Sequence, residues 1–271
     1  MPFLDTAQVR LHYRLEGRED APLLMLSNSL GTNLDMWEPQ MPALLTHFRV
    51  LRYDARGHGQ SSVPDGPYSI AQLGGDAIAL LDHLGLARAH FCGLSMGGMC
   101  GMWLALNHAS RIDRLVLCNT AARIGPPEMW NVRIEAVQDQ GLAEIVPAVL
   151  DRWFTRDFRH GATAQVELVR SMLLTTTDAG YIASCAAVRD MDQRNQLGAI
   201  FAPTLVLSGR QDMATPPADG HFLADHIPGA RYVELNAAHL SNWEMAQAFT
   251  THVSDFLLKP ATATQESSNH G

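Results

Sequence analysis

Six short runs of apolar and β-branched residues, at positions 23–26, 48–53, 89–92, 115–118, 204–207 and 232–235, alternate with stretches of helical periodicity such as 70–84 and 97–107. Most of these runs are continuously apolar, the pattern of strands buried on both faces of a parallel sheet. A chain that alternates such strands with helices folds as a layered α/β sheet. Residues 9–15 alternate apolar with polar and read as an edge hairpin strand. One region interrupts the rhythm. Residues 123–197 carry no strand pattern and hold helix-like blocks at 128–138, 142–154, 163–174 and 180–189. The expectation is an all-helical cap, 123–197, inserted into a core made of 1–122 and 198–259. The polar tail, 260–271, is expected to be disordered.

Composition removes several function classes. Twenty basic against twenty-eight acidic residues give a net charge of −8 and no basic patch for a phosphate backbone, so nucleic acid is not an expected partner. Of the basic residues only Lys259 is a lysine. A P-loop lysine, a kinase β3 lysine and an interior Schiff-base lysine are therefore excluded. Cys92, Cys100, Cys118 and Cys185 lack CxxC spacing and sit among apolar or small neighbours, which reads as buried thiols in a reducing compartment. No signal-peptide pattern opens the chain, and the uncharged stretch 93–107 is too short and glycine-punctuated to span a bilayer. A cytoplasmic protein without a membrane partner is expected.

Chemistry enters at Gly93-Leu94-Ser95-Met96-Gly97, a G-x-S-x-G motif. A chain of this glycine and serine content carries about 0.08 such matches by chance, so position decides its meaning. The motif follows an apolar run and opens a helical pattern, the strand-turn-helix setting in which a strained turn exposes the Ser95 hydroxyl. A hydroxyl becomes nucleophilic when a base removes its proton, and an imidazole does so when a carboxylate holds its working tautomer. His239 follows the run 232–235, and Asp212 follows 204–207, both at expected strand ends. Asp219, His221, Asp225, His226 and His252 fall in helical segments and are weaker candidates. Asn119 follows the run 115–118, so no acid is supplied there.

Backbone amides for an oxyanion are expected from Met96, at the start of the new helix, and from Leu30 in the loop 27–31. No H-E-x-x-H or paired Cys/His spacing marks a metal site, and the glycines around His58 do not complete a dinucleotide loop, because Ser62 stands where the last glycine is needed. Neither a metal nor a cofactor is expected.

Ser95, the stretch Asp54-Ala-Arg-Gly-His-Gly-Gln-Ser61, the Asp212 loop and His239 together resemble the α/β-hydrolase superfamily over about residues 9–259, including its order of nucleophile, acid and base. More narrowly, Ser27-Asn28-Ser29-Leu30-Gly31-Thr32-Asn33 with Trp37, Ala122–Gly125 with Trp130 and Arg133, and Arg152-Trp153-Phe154-Thr155 resemble the 3-oxoadipate enol-lactonases of aromatic-compound catabolism. The superfamily's frequent His-Gly at the oxyanion loop is Leu30-Gly31 in this chain, which preserves backbone donation. The resemblance implies a mostly parallel sheet flanked by helices, Ser95-His239-Asp212 catalysis, and a small anionic lactone as substrate. It makes His58 structural and Asp54 a tether for its turn. An anionic substrate needs a cation, and Arg133 is the candidate, with Trp130 and Trp153 as apolar walls; pairing of Arg133 with Glu128 or Glu135 is the competing reading. Other activities on the same scaffold stay open: a carboxylesterase, a carbon–carbon bond hydrolase, a cofactor-free perhydrolase, or a hydrolase-like small-molecule receptor.

Overall fold

The structure is a computed structural model and describes residues 2–259; the expectation for 260–271 lies outside them. Among the described residues eight strands form one sheet in the order β1-β2-β4-β3-β5-β6-β7-β8. The strands are β1 (Phe3–Asp5), β2 (Arg10–Glu16), β3 (Leu23–Ser27), β4 (Arg49–Tyr53), β5 (Ala89–Leu94), β6 (Ile112–Cys118), β7 (Thr204–Gly209) and β8 (Arg231–Leu235). β2 pairs antiparallel with both β1 and β4, and every pairing from β4 to β8 is parallel. The expected edge strand is therefore one position inside the edge. β1 covers it, three residues that are too short to show a period.

Helices α1 (Met41–Leu44), α2 (Ile70–His83) and α3 (Met96–Asn107) connect the first strands. α2 starts where Ser69 closes a capping box: its hydroxyl accepts from the Gln72 amide, and the Gln72 side chain accepts from the Ser69 amide. Between β6 and β7 run α4 (Pro127–Gln140), α5 (Leu142–Trp153), α6 (Arg156–Gly161), α7 (Thr163–Thr175) and α8 (Asp178–Arg189). The short α6, capped by the Thr155 hydroxyl, had no separate signal in the sequence. Helices α9 (Pro217–His226), α10 (Ser241–Glu244) and α11 (Ala246–Leu257) finish the fold.

The strand order reverses beside β3, which has β4 on one side and β5 on the other. In open α/β sheets ligands bind beyond the carboxyl ends of the strands at such a reversal. The loops after β3, β5, β6, β7 and β8 carry Leu30, Ser95, Asn119, Asp212 and His239 to that end of the sheet.

Two glycines make the β5–α3 corner possible. A Cβ on Gly93 would lie 2.1 Å from the Gly97 carbonyl oxygen, and one on Gly97 would lie 2.1 Å from the Ser27 carbonyl oxygen. The contacts are to backbone, so neither neighbour can swing away. Gly75 lies in α2 with open space at its Cβ position. In urea unfolding, Gly97→Ala is expected to destabilise the fold by more than about 2 kcal/mol, whereas Gly75→Ala stabilises it by about 0.5–1 kcal/mol through helix propensity.

Candidate active site

Ser95 stands between β5 and α3 with φ 57° and ψ −117°, a conformation that costs a side-chain-bearing residue on the order of 1–3 kcal/mol. It is held from both sides. Its amide donates to the Cys118 carbonyl at 2.9 Å, and its carbonyl accepts from the Thr120 hydroxyl at 2.7 Å. The turn lifts the side chain out of the sheet into a cavity that His239 also lines.

Asp212 is buried and saturated with donors. Its Oδ1 accepts from the amides of Ala214 at 2.8 Å and Thr215 at 2.9 Å. Its Oδ2 accepts from the Thr215 hydroxyl at 2.7 Å, Asn119 Nδ2 at 2.9 Å and His239 Nδ1 at 2.9 Å. Burial alone would raise the carboxyl's pKa, but the charge and hydrogen bond of His239, with those of Thr215 and Asn119, hold it below the usual carboxylate value. An ionised carboxylate only accepts, so His239 Nδ1 donates to it and Nε2 is left outside that bond. Ser95 and His239 line one cavity without a direct hydrogen bond, a contact that commonly tightens only when substrate is present.

Asn119, set aside in the sequence because it is not an acid, supports this pair. At φ 43° its Nδ2 bridges Asp212 and the Ala238 carbonyl, and its Oδ1 accepts from the Ser241 hydroxyl at 2.6 Å. The signal available in the sequence was a polar residue directly after a buried strand. The rival groups lie elsewhere. His221 stacks on Tyr232 and His226 on Phe222, and burial together with the charge of Asp212 pushes the Asp219 carboxyl up to about 6. Among the described residues none of these, nor His252, lines the cavity.

The loop after β3 turns at Gly31, φ 83°, with the Thr32 amide donating to the Ser29 carbonyl at 3.2 Å. The Gly31 amide donates to His58 Nε2 at 2.8 Å, and His58 Nδ1 donates to the Arg56 carbonyl at 3.1 Å. His58 thus consumes the Gly31 amide and leaves that of Leu30, a residue on the cavity wall. Met96 opens α3, where first-turn amides have no acceptor within the helix. Asp54 ties the His58 turn in place by accepting from the amides of Leu34 and Gln60 and pairing with His12.

The cavity, about 90 Å³, is closed by helices α4, α5 and α8. It has room for a few waters or one small molecule. Trp130 and Trp153 are both on its wall, and the Trp153 ring lies 5.8 Å from that of His239. Arg133 sits 5.1 Å over the Trp130 ring, and its Nη1 reaches Tyr181 Oη at 3.5 Å. Its pairing with Glu128 or Glu135 does not form. Arg152 and Tyr181 share the wall, and neither was singled out from the sequence as a binding group. Among the described residues no group of three His, Cys, Asp or Glu side chains could hold a metal ion, and no helix is long and apolar enough to cross a membrane. The four cysteines are buried and free.

A family model described as the alpha/beta hydrolase fold matches residues 22–246. The chain belongs to the α/β-hydrolase fold family. Among its relatives in that family, 3-oxoadipate enol-lactonase 2 of Acinetobacter baylyi is 45% identical over 94% of this chain and 95% of the relative. The same organism's 3-oxoadipate enol-lactonase 1 is 38% identical over 91% of this chain and 92% of the relative. The crystal structure of the enol-lactonase from Burkholderia xenovorans LB400 superposes with a TM-score of 0.94 at 50% identity, covering 95% of this chain and all of that one (100%).

Burial holds the His58 imidazole below its ordinary pKa, and Asp212 is also lowered. Both folded values lie under the unfolded ones, so the unfolded hydrolase takes up more protons on acidification. The His58 contribution is complete above about pH 6.5 and is lost as pH falls toward its folded value; that of Asp212 is complete above about pH 3.9 and is lost below it. Asp219, raised to about 6, adds stability as pH falls over the same range, so between about pH 7.5 and about pH 5.5 the urea midpoint of the wild type is expected to fall relative to that of His58→Gln.

Proposed function

We propose that this hydrolase is a 3-oxoadipate enol-lactonase, opening the enol-lactone ring to 3-oxoadipate in aromatic-compound catabolism. The observation that carries the reading is one small cavity. A serine on a strained elbow and a carboxylate-backed imidazole line it together with Arg133, a cation that no carboxylate among the described residues neutralises. A compact anion with a reactive carbonyl suits that space, and its relatives' names supply the candidate.

In this reading residues 123–197 form the cap that closes the site. Ser95 Oγ attacks the lactone carbonyl while His239 Nε2 accepts its proton, and Asp212 stays ionised to steady the imidazolium. The amides of Leu30 and Met96 receive the oxyanion. Collapse expels the enol oxygen, a better leaving group than an alkoxide, and His239 returns the proton to it. The enol tautomerises to the ketone, which draws the reaction forward. Water, deprotonated by His239, then attacks the acyl carbon and frees Ser95, so one lactone and one water give one 3-oxoadipate. Trp130 and Trp153 wall the ring, and Arg133 holds the carboxylate arm. Nothing in the sequence of steps calls for a cofactor. The buried free cysteines support a reducing, cytoplasmic location.

Ser95→Ala is expected to retain the circular dichroism spectrum and urea midpoint of the parent while lowering enol-lactone turnover by roughly 10⁴-fold or more. Substantial residual lactonase activity would remove Ser95 from the mechanism.

A further inference from the structure

The chain has an excess of acidic residues and uses them to neutralise its buried guanidiniums. Arg56 is bonded to Asp76 through two hydrogen bonds of 2.6 and 2.7 Å, and Arg52 reaches Glu16 at 2.6 Å and Glu38 at 2.8 Å. Arg152 departs from that rule. It is half-buried in the last turn of α5, lines the cavity shared by Ser95 and His239, and among the described residues forms no hydrogen bond or ion pair. Arg133 lines the same cavity over the Trp130 ring, and among the described residues its one hydrogen bond is the long contact to Tyr181. Desolvation and then the charge of Arg133 lower the Arg152 pKa. Two unneutralised cations in one small enclosed space are unfavourable unless an anion joins them.

The position of Arg152 is also fixed relative to the base. Three residues further on, the Thr155 amide and hydroxyl donate to Glu244, and the second donor to Glu244 Oε1 is the amide of Ala238, the neighbour of His239. The Leu240 amide closes the loop onto the Trp153 carbonyl at 3.0 Å. The end of α5 and the His239 loop are thereby joined as one unit. Arg133, on α4, has no such tie.

We propose that Arg152 is a second carboxylate-binding residue, forming with Arg133 a two-guanidinium receptor for the carboxylate arm of the substrate. A carboxylate offers acceptor sites on two oxygens and can take donors from both forks. Arg152 sets the distance from that arm to His239, and Arg133 supplies the second set of donors to it. The assignment rests on the lactonase reading for the identity of the substrate, whereas the anion site itself does not.

The test uses the full chain as wild type, Arg152→Gln, Arg152→Lys and Arg133→Gln. Binding of adipate, a saturated dicarboxylate, is measured by calorimetry, and kcat and KM are measured for the enol-lactone and for a neutral aryl acetate. Arg152→Gln is expected to weaken adipate binding tenfold or more and to raise KM for the lactone more than it lowers kcat. The ratio of kcat/KM for lactone over aryl acetate falls at least tenfold, and Arg152→Lys, which keeps charge but loses the fork, recovers part of it. Unchanged adipate binding in Arg152→Gln, or equal losses on both substrates, would show that Arg152 is only a wall whose stem packs the cavity. A wild type that binds adipate through Arg152 but does not open the lactone would sink the lactonase reading and leave the anion receptor standing. If Arg152→Gln fails to fold, Arg152→Lys decides by the same two measurements.

Discussion

Ser95 occupies backbone angles that an L-residue avoids, and the surrounding structure is arranged to hold it there. β5 reaches the corner between two parallel neighbours, β3 and β6, and α3 leaves at once across the carbonyl of Ser27. Only residues without a Cβ fit at 93 and 97, so the approach of helix to strand and the projection of the hydroxyl are one geometric fact. The strain is offset by ordinary packing and by the hydrogen bonds from Ser95 to Cys118 and from Thr120 to Ser95.

The rest of the site is built from neighbours that hold other groups in place. His58 takes the Gly31 amide of the β3 loop and so fixes the turn beside the cavity wall. Asn119 and Thr215 fill the lone pairs of Asp212 and keep it an acceptor, which in turn fixes the tautomer of His239. Glu244 joins α5 to the loop carrying that histidine. Each of these residues acts at one remove from the reacting atoms, through a hydrogen bond that leaves its partner a single orientation. The same bonds tie the wall formed by Trp153 to the loop that carries His239.

Much of this was legible in the sequence, for identifiable reasons. Buried parallel strands are written as unbroken apolar runs, and the elbow as glycines at a fixed spacing, so the sheet, Ser95, and the strand-end positions of Asp212 and His239 could be read directly. The three-residue β1 and the short α6 could not, since neither is long enough to show a period. Asn119 was read for the charge it lacks, while its amide group supplies both the donor and the acceptor its place requires. Arg152 is an arginine beside a tryptophan at the end of an apolar helix, a setting in which a snorkelling surface residue looks the same. Only the absence of a carboxylate beside it among the described residues distinguishes the two. For Arg133 the sequence offered Glu128 and Glu135 as partners, and the fold supplied Trp130 and Tyr181.

In the proposed mechanism the strained elbow makes one hydroxyl, among all the serines of the chain, a nucleophile activated by His239. Treatment with a small fluorophosphonate followed by intact-mass measurement and peptide mapping tests it most directly. One adduct per chain is expected, located on Ser95, formed rapidly in the wild type and only very slowly in His239→Ala. Labelling at another residue, or equally fast labelling of Ser95 without the imidazole, would contradict it.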